Sequence, residues 1–339
     1  MVFWKKVNWR NKEIMIIKEM IYRFLNKSKT GEDLWYWFHI INVNMRRVVP
    51  DKMLIKKSYM KMHGSSIRFD NPITFDEKQL WLKLNYRNPL CVICSDKYLV
   101  RKYVEDNGYG HILNRLYAVY NSVNEIEWDN LPQQFYMKVN HMSGCNIRCN
   151  DKTKFNRKEA IKRIKRGMRH DYSLDSREWN YKNIRRKILI EAIIENHDKS
   201  PLVDYRFLCY NGRCEYIFVD IGTADENGKH LADAHRNVYD RDMNLLDVQV
   251  SRKRFPSKLV VKPINFEEMR KCAERLSGHF PFCRVDLYNV DGKILFGEIT
   301  FFHAGGLSSI TPKEWEIKLG DPISIDLAKK QMANCYVTY

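Results

Sequence analysis

The chain has 339 residues, a net charge of +17, and 44% hydrophobic residues, with aromatics at 13% of the total. Such a composition excludes intrinsic disorder, and 15 glycines with 10 prolines exclude a collagen-like sequence. The length suits two or three lobes around a substantial core.

No apolar run reaches about 18 residues, so no membrane-spanning helix is expected. Met1-Val2-Phe3-Trp4-Lys5-Lys6 opens a mixed segment without a signal-peptide core. Nine scattered cysteines then read as reduced thiols, and the expected location is cytoplasmic. The positive charge is concentrated. Residues 1–62 hold fourteen basic and five acidic residues, and residues 148–187 hold fifteen and five. Zones like these attract polyanions. In 1–62 the cations interleave with Trp4, Trp9, Trp35, Tyr36, Trp37 and Phe38, as in a helical extension that either packs on the main body or lies on an anionic membrane face.

Along the chain, Thr74-Phe75-Asp76-Glu77 is a capping box for a helix over 76–84, and Ser95-Asp96 caps a second helix over 97–104. Strands are expected at 116–120 and 134–139, followed by a basic helix with Ala160, Ile161, Ile164 and Met168 on one face. The apolar run 188–194 reads as one strand. Residues 205–210 and 215–220 form a hairpin across Asn211-Gly212. Asn265 caps a helix ending near Gly278, and 283–288 with 294–301 form a second hairpin across Asp291-Gly292. Cys91-x-x-Cys94 and Cys145-x-x-x-Cys149 lack the further ligands of a structural zinc site. No helix-turn-helix, RNA-recognition or zinc-finger pattern accompanies the charge, so no nucleic-acid partner is expected.

The second hairpin carries the chemistry. Asp286 and Glu298 are carboxylates embedded in apolar strands, with Arg284 on the same face as Asp286. Pairing of the strands would bring the carboxylates together, where they either face solvent or share a cation such as Mg²⁺.

This pattern resembles the metal-binding hairpin of ATP-grasp enzymes. Over about 72–324 the chain resembles the TupA-like ATP-grasp family, named for teichuronopeptide biosynthesis. The ordered motifs are Asn71-Pro72-Ile73-Thr74-Phe75-Asp76-Glu77-Lys78, Asp96-Lys97-Tyr98-Leu99-Val100-Arg101, Lys138-Val139-Asn140-His141, Asp204-Tyr205-Arg206-Phe207, the hairpin itself, and Pro312-Lys313-Glu314-Trp315. The resemblance implies an α/β (α+β) ATP-grasp fold, with a small lid lobe, a larger lobe and ATP between them. The segments are then 1–62 (helical extension), 63–116 (helical N-terminal part), 117–190 (small lobe) and 191–339 (large lobe with the metal hairpin).

It further implies an ATP- and Mg²⁺-dependent carboxylate–amine ligase working through an acyl phosphate. Its partners would be an amine donor and an acidic glycan, a uronic acid of a surface polysaccharide or its precursor. Asp286, Glu298 and Thr300 fall at the metal positions, and Arg284 and Lys138 at the catalytic ones. Arg101, Lys138, Ser143, Gly144, Glu191, Ile193, Ile194 and Asp204 fall where ATP is held, and Arg206, Arg236 and His303 are substrate candidates. Met142 and Cys145 stand where the family usually has glycine. That departure keeps open a non-catalytic polyanion-binding protein, with a glycosyltransferase as a further alternative. The expected location extends to the inner face of the membrane.

Overall fold

The computed structural model describes residues 28–198, 200–225, 228, 231 and 233–335. The chain divides into two compact units, Met1–Pro50 and Asp51–Tyr339. In the first, Ser28 caps the helix Lys29–Met45 by accepting from the Gly31 N–H at 3.1 Å. Leu34, Trp37, Phe38, Ile41 and Met45 recur along it at helical spacing, and each is more than half exposed. Trp4 and Trp9, assigned to the same extension, lie outside the described residues. Among the described residues, no helix is long and apolar enough to cross a membrane.

The second unit begins with the helices Asp51–His63, Phe75–Asn85, Leu90–Ser95 and Leu99–Asp106. The expected capping box is present: the Thr74 hydroxyl accepts from the Glu77 N–H, and the Glu77 carboxylate accepts from the Thr74 N–H. At the next cap Asp96 acts alone, accepting from the Tyr98 and Leu99 N–H groups, while the Ser95 hydroxyl donates to the Cys91 carbonyl.

Strands β1 (Leu116–Tyr120), β2 (Phe135–Val139), β3 (Asn146–Cys149) and β4 (Ile188–Glu191) form an antiparallel sheet in the order β1-β4-β2-β3. Alternation along β2 buries Phe135, Met137 and Val139 against Ala160 and Ile164 of the basic helix Arg157–Arg169, and turns Lys138 to the opposite face. The run expected to be one strand to residue 194 stops at Glu191. There the Ala192 N–H donates to the Arg115 carbonyl and Asn114 Nδ2 donates to the Ala192 carbonyl, which turns the chain away.

Strands β5 (Val203–Tyr210), β6 (Arg213–Ile221), β7 (His235–Asp240), β8 (Gln249–Val250), β9 (Cys283–Val290), β10 (Lys293–Thr300) and β11 (Ile310–Thr311) follow. Five of them make a second antiparallel sheet, β10-β9-β5-β6-β7, and β8 pairs with β11. Both expected hairpins are present, with Asn211-Gly212 and Asp291-Gly292 at positive φ. The helix Phe266–Ser277 packs Phe266, Met269, Cys272 and Leu276 into the core of this sheet. Asn265 does not cap it as expected. Its amide instead donates to the Gly292 carbonyl at 2.9 Å and accepts from Asn289, bracing the hairpin turn.

The β9–β10 hairpin contains the decisive irregularity. Lys293 to Phe296 pair in simple register from Val290 to Leu287, and then Glu298, not Gly297, pairs with Asp286. Without this bulge Glu298 would face the core side, because a one-residue slip inverts every later side chain. Burial follows the switch, with Ile294 and Phe296 buried before the bulge and Ile299 after it. Glycine is required here, since a Cβ on Gly297 would lie 2.9 Å from the Asp286 carbonyl oxygen. Gly297→Ala is expected to destabilise the protein by about 1–3 kcal/mol, read as a lowered urea midpoint. An unchanged midpoint would mean that the bulge tolerates a side chain.

Candidate active site

A narrow cleft runs between the two sheets. Lys138 from β2 and Glu191 from β4 line one side, and Phe296, Gly297, Glu298 and Ile299 of β10 line the other. Lys97 and Arg101 enter from the segment around the start of the helix Leu99–Asp106. Lys138 pairs with Glu191 at 2.7 Å, and Lys97 approaches Glu298 at 4.0 Å. Lys97 also donates to the Met142 carbonyl at 2.9 Å, which ties the 140–145 loop to the cleft floor. Burial lowers the Lys97 pKa, and nearby Lys138 lowers it further, against the opposing pull of Glu298. Arg101 Nη2 donates to the Asn114 carbonyl at 2.9 Å. Leu113, Phe296 and Ile299 give the cleft apolar walls beside these cations. Apolar walls beside cations are the chemistry that a flat base and a chain of phosphates call for.

Behind the cleft, the polar face of the larger sheet is a buried ion network. Arg284 Nε and Nη2 grip Asp286 at 2.7 and 2.6 Å, and Nη2 also reaches Thr300 Oγ1 at 3.1 Å and Glu298 Oε1 at 3.4 Å. Three oxygen-bearing side chains therefore converge on one positively charged point. Oxygen donors of this kind are the chemistry that a hard cation such as Mg²⁺ takes, and in this structure the Arg284 guanidinium holds the point on which they converge. Glu298 is the open member at 42% side-chain exposure, and Asp286 is buried. Burial raises the Asp286 pKa against the pull of Arg284 and Arg206; for Glu298, Lys97 and Arg284 outweigh burial and lower it.

Farther along the face, Asp220 accepts from Arg236 at 2.6 and 2.7 Å and from Arg252 at 2.6 Å, and lies 3.0 Å from Arg206 Nε. Burial alone would raise this carboxyl, yet Arg206 and Arg236, with Arg252, hold it down to about 2. Arg206 is shared among Asp220, Asp204 at 3.4 Å and Asp286 at 3.8 Å. His303 is wedged between Arg284 and Arg236, at 2.6 Å from Nδ1 and 3.0 Å from Nε2. Burial and the two guanidinium groups push its pKa well down, so the ring is neutral: one nitrogen accepts from an arginine, and the other, which carries the proton, only lies against the second guanidinium.

The fold thus brings Arg101, Lys138, Glu191 and Glu298 to the cleft, and Asp204, Arg206, Arg236, Arg284, Asp286, Thr300 and His303 to the adjoining polar face. Ser143 and Gly144 sit in the loop that Lys97 tethers, and Ile193 and Ile194 follow β4 in irregular, half-buried chain that does not line the cleft. Met142 and Cys145 pack against the small-lobe core, with Cys145 at φ 55°. Cys91, Cys94 and Cys149 are buried in the two large cores as small apolar residues. The triplet Asp240-Arg241-Asp242, the Asp-x-Asp form associated with glycosyltransferases, closes a turn: Asp240 accepts from the Asp242 and Asn244 N–H groups, and Asp242 pairs with Arg270.

The sequence left Lys97, the trio Asp76, Gln79 and Lys83, and Glu178 without a role at the site. Lys97 stood inside a quoted motif, but nothing local separates it from a surface lysine. Asp76, Gln79 and Lys83 are buried at positions i, i+3 and i+7 of one helix. They grip the loop after β10, where Asp76 accepts from the Ser308 N–H, Gln79 accepts from the His303 N–H and Lys83 donates to the Gly305 carbonyl. Glu178 is buried near Lys83 and Gly305, and burial raises its pKa to about 7. Polar residues on one helical stripe were the available signal for this grip.

A sequence model of the TupA-like ATPgrasp family matches residues 77–324. No curated protein matches the chain by sequence. Among solved structures, the L-amino acid ligase of Bacillus licheniformis is 14% identical at a TM-score of 0.39, over 73% of this chain and 53% of that one. The D-alanine–D-alanine ligase of Bacillus anthracis complexed with ATP is 12% identical at 0.37, over 74% and 69%. The D-alanine–D-alanine ligase of Helicobacter pylori is 14% identical at 0.36, over 78% and 69%. This chain spans about half the length of the L-amino acid ligase it matches.

The raised Glu178 pKa has a stability consequence. The folded carboxyl holds its proton to about pH 7, against 4.5 for an ordinary glutamate. Its contribution is therefore fully present below pH 4.5 and lost as pH rises through about 7. Urea midpoints of the wild type should fall relative to Glu178→Gln across that window, and parallel profiles would remove Glu178 from this role.

Proposed function

Because this chain belongs to the TupA-like ATP-grasp family, we propose that it is an ATP-dependent carboxylate–amine ligase whose carboxylate is a uronic acid of a surface polysaccharide or its precursor. The observation that carries the reading is the convergence of Lys97, Lys138 and Arg101 with Glu298 around one cleft, where Glu298 is register-paired with Asp286 on the polar face behind it. ATP supplies the phosphoryl group that makes a carboxylate electrophilic, and Mg²⁺ offsets the phosphate charge. Asp286, Glu298 and Thr300 would hold the metal, and the three cations of the cleft would meet the phosphates.

In the balanced reaction, a carboxylate oxygen takes the γ-phosphoryl group and ADP leaves. The amine nitrogen then attacks the acyl carbon, phosphate departs, and the amine gives up a proton. Arg284 stands beside the paired carboxylates, where its guanidinium would stabilise negative charge on the acyl oxygens. Arg206, Arg236 and His303 would act mainly by fixing Arg284 and Asp286. Arg236 is spent on Asp220, and neutral His303 is packed between it and Arg284 and accepts from one of the two. An acidic acceptor is favoured by the exposed Arg157, Lys158, Lys165 and Arg169 of the small-lobe helix.

A peripheral contact with an anionic membrane is the second part of the proposal. Its support is the exposed stripe Leu34, Trp37, Phe38, Ile41 and Met45, in a segment whose sequence is strongly basic. Binding to anionic vesicles should weaken as salt rises. Trp37→Ser with Phe38→Ser should lower it while sparing turnover of a small soluble acceptor, and undiminished vesicle binding would discard the membrane reading.

The ligase reading is tested by ADP release from ATP and Mg²⁺ with candidate uronates and amines, supplied together and singly. Release should require both co-substrates. Asp286→Asn and Glu298→Gln should each lower kcat by about a hundredfold or more in folded protein. Lys97→Ala should raise the KM for ATP with little change in stability. Folded carboxylate variants with normal turnover would overturn the site.

A further inference from the structure

Away from the cleft, the second unit holds a cavity of about 500 Å³. Its walls are the end of the helix Asp51–His63 with the loop beyond it, the capping turn before Phe75, and the chain from Ser308 to Glu316. Hydroxyls dominate the lining, among them Ser65, Ser66, Ser308, Ser309 and Thr311, while Met62 and Ile310 are its aliphatic members. Lys313 adds a positive charge, while Glu316 lies 3.8 Å from Nδ1 of His63, which also lines the cavity. Arg68 and Glu77, also in the wall, are committed to each other through bonds of 2.7 and 2.9 Å.

One polar atom of the cavity wall is left over, and a second lies behind the wall, outside the lining. Ser308 is fully buried and its Oγ has no partner. Its N–H donates to Asp76 Oδ2 at 2.6 Å, while Asp76 Oδ1 is buried and also unpartnered. Folded proteins seldom leave buried polar atoms in this state unless a bound group satisfies them. A hydroxyl both donates and accepts, which is the pattern that the vicinal hydroxyls of a polyol present in return. An amino acid would leave most of the hydroxyls and most of the volume unfilled, and Glu316, already beside His63, offers its amine no free partner.

We infer that this cavity binds an acidic saccharide, with its serine and threonine hydroxyls meeting the sugar hydroxyls and Lys313 meeting the carboxylate. Lys313 is exposed and has no ion pair among the described residues. The inference rests on the acidic-glycan reading above and adds a second place where that glycan is held. The loop from His303 to Ser308 joins the two sites along the chain, and both of its ends are fixed to one helix through Gln79 and Asp76. An acceptor of several sugar units would thus engage the protein beyond the unit that reacts.

Calorimetric titration of the full chain, without ATP, tests the inference with trigalacturonate, maltotriose and glutamate as probes. Trigalacturonate should bind more tightly than maltotriose, and glutamate should not compete. Lys313→Glu should weaken trigalacturonate by about tenfold or more, and Ser308→Ala by roughly fivefold. Ser66→Trp, which replaces a hydroxyl of the wall with a bulky indole, should weaken trigalacturonate binding as well. ATP affinity should be unchanged in all three variants. If Ser66→Trp does not fold, Lys313→Glu decides, because that side chain is exposed. Absence of trigalacturonate binding, equal affinity in the variants, or competition by glutamate would overturn the inference. Failure of the ligase reading shows separately, as absence of ADP release with saccharide binding intact.

Discussion

The guanidinium of Arg284 is the contact on which the polar half of this structure depends. It is buried, and a buried charge persists only when partnered on every side. Asp286, Glu298, Thr300 and His303 supply those partners from two strands and the loop beyond them. The neutral ring of His303 then carries the network to Arg236, and through Asp220 to Arg206 and Arg252. Charges of both signs alternate across the sheet face, so that each strand of the larger lobe is locked in register by its neighbour's charge. Breaking one pair would strand its partner in a low-dielectric interior, which costs more than the pair itself contributes.

That network accounts for the division of labour between the two faces of the five-stranded sheet. One face is hydrocarbon, with Phe207, Val285, Leu287 and Ile217 in the main core. The other face stays polar and is shielded by the loop 303–308, which the helix Phe75–Asn85 fastens with Asp76, Gln79 and Lys83. A helix that would normally bury a purely apolar stripe here spends three buried positions on hydrogen bonds. Its energetic role is to hold the loop that completes the network and also forms one wall of the second cavity.

The small lobe contributes differently. Its sheet is held by an ordinary apolar core under the helix Arg157–Arg169, and the cleft-facing side carries the Lys138–Glu191 pair. Lys97 links the lobes through its neighbours: Glu298 lies 4.0 Å away across the cleft, and the Met142 carbonyl belongs to the loop between β2 and β3. Gly167 keeps that loop seated, since a Cβ there would come within 2.4 Å of the Cys145 sulfur. The bulkier Met142 and Cys145 are thus accommodated by packing into the lobe's own core, with Cys145 adopting the left-handed backbone usually left to glycine.

By itself, the sequence determined the features whose physics is local. The Thr74–Glu77 capping box, the Asn211-Gly212 and Asp291-Gly292 turns and the alternation that turns Lys138 off the core all depend on residues a few positions apart. The ordered motifs determined the family. Tertiary structure alone decided what depends on distant partners. Simple pairing across the Asp291-Gly292 turn would have set Gly297, not Glu298, opposite Asp286. The bulge that corrects this is visible only once Gly297 meets the Asp286 carbonyl and the core claims Ile299. The end of β4 at Glu191, the capture of His303 between two arginines and the recruitment of Lys97 to the cleft have the same origin. Each is set by a contact between segments far apart in sequence, and no window along the chain contains both sides of that contact.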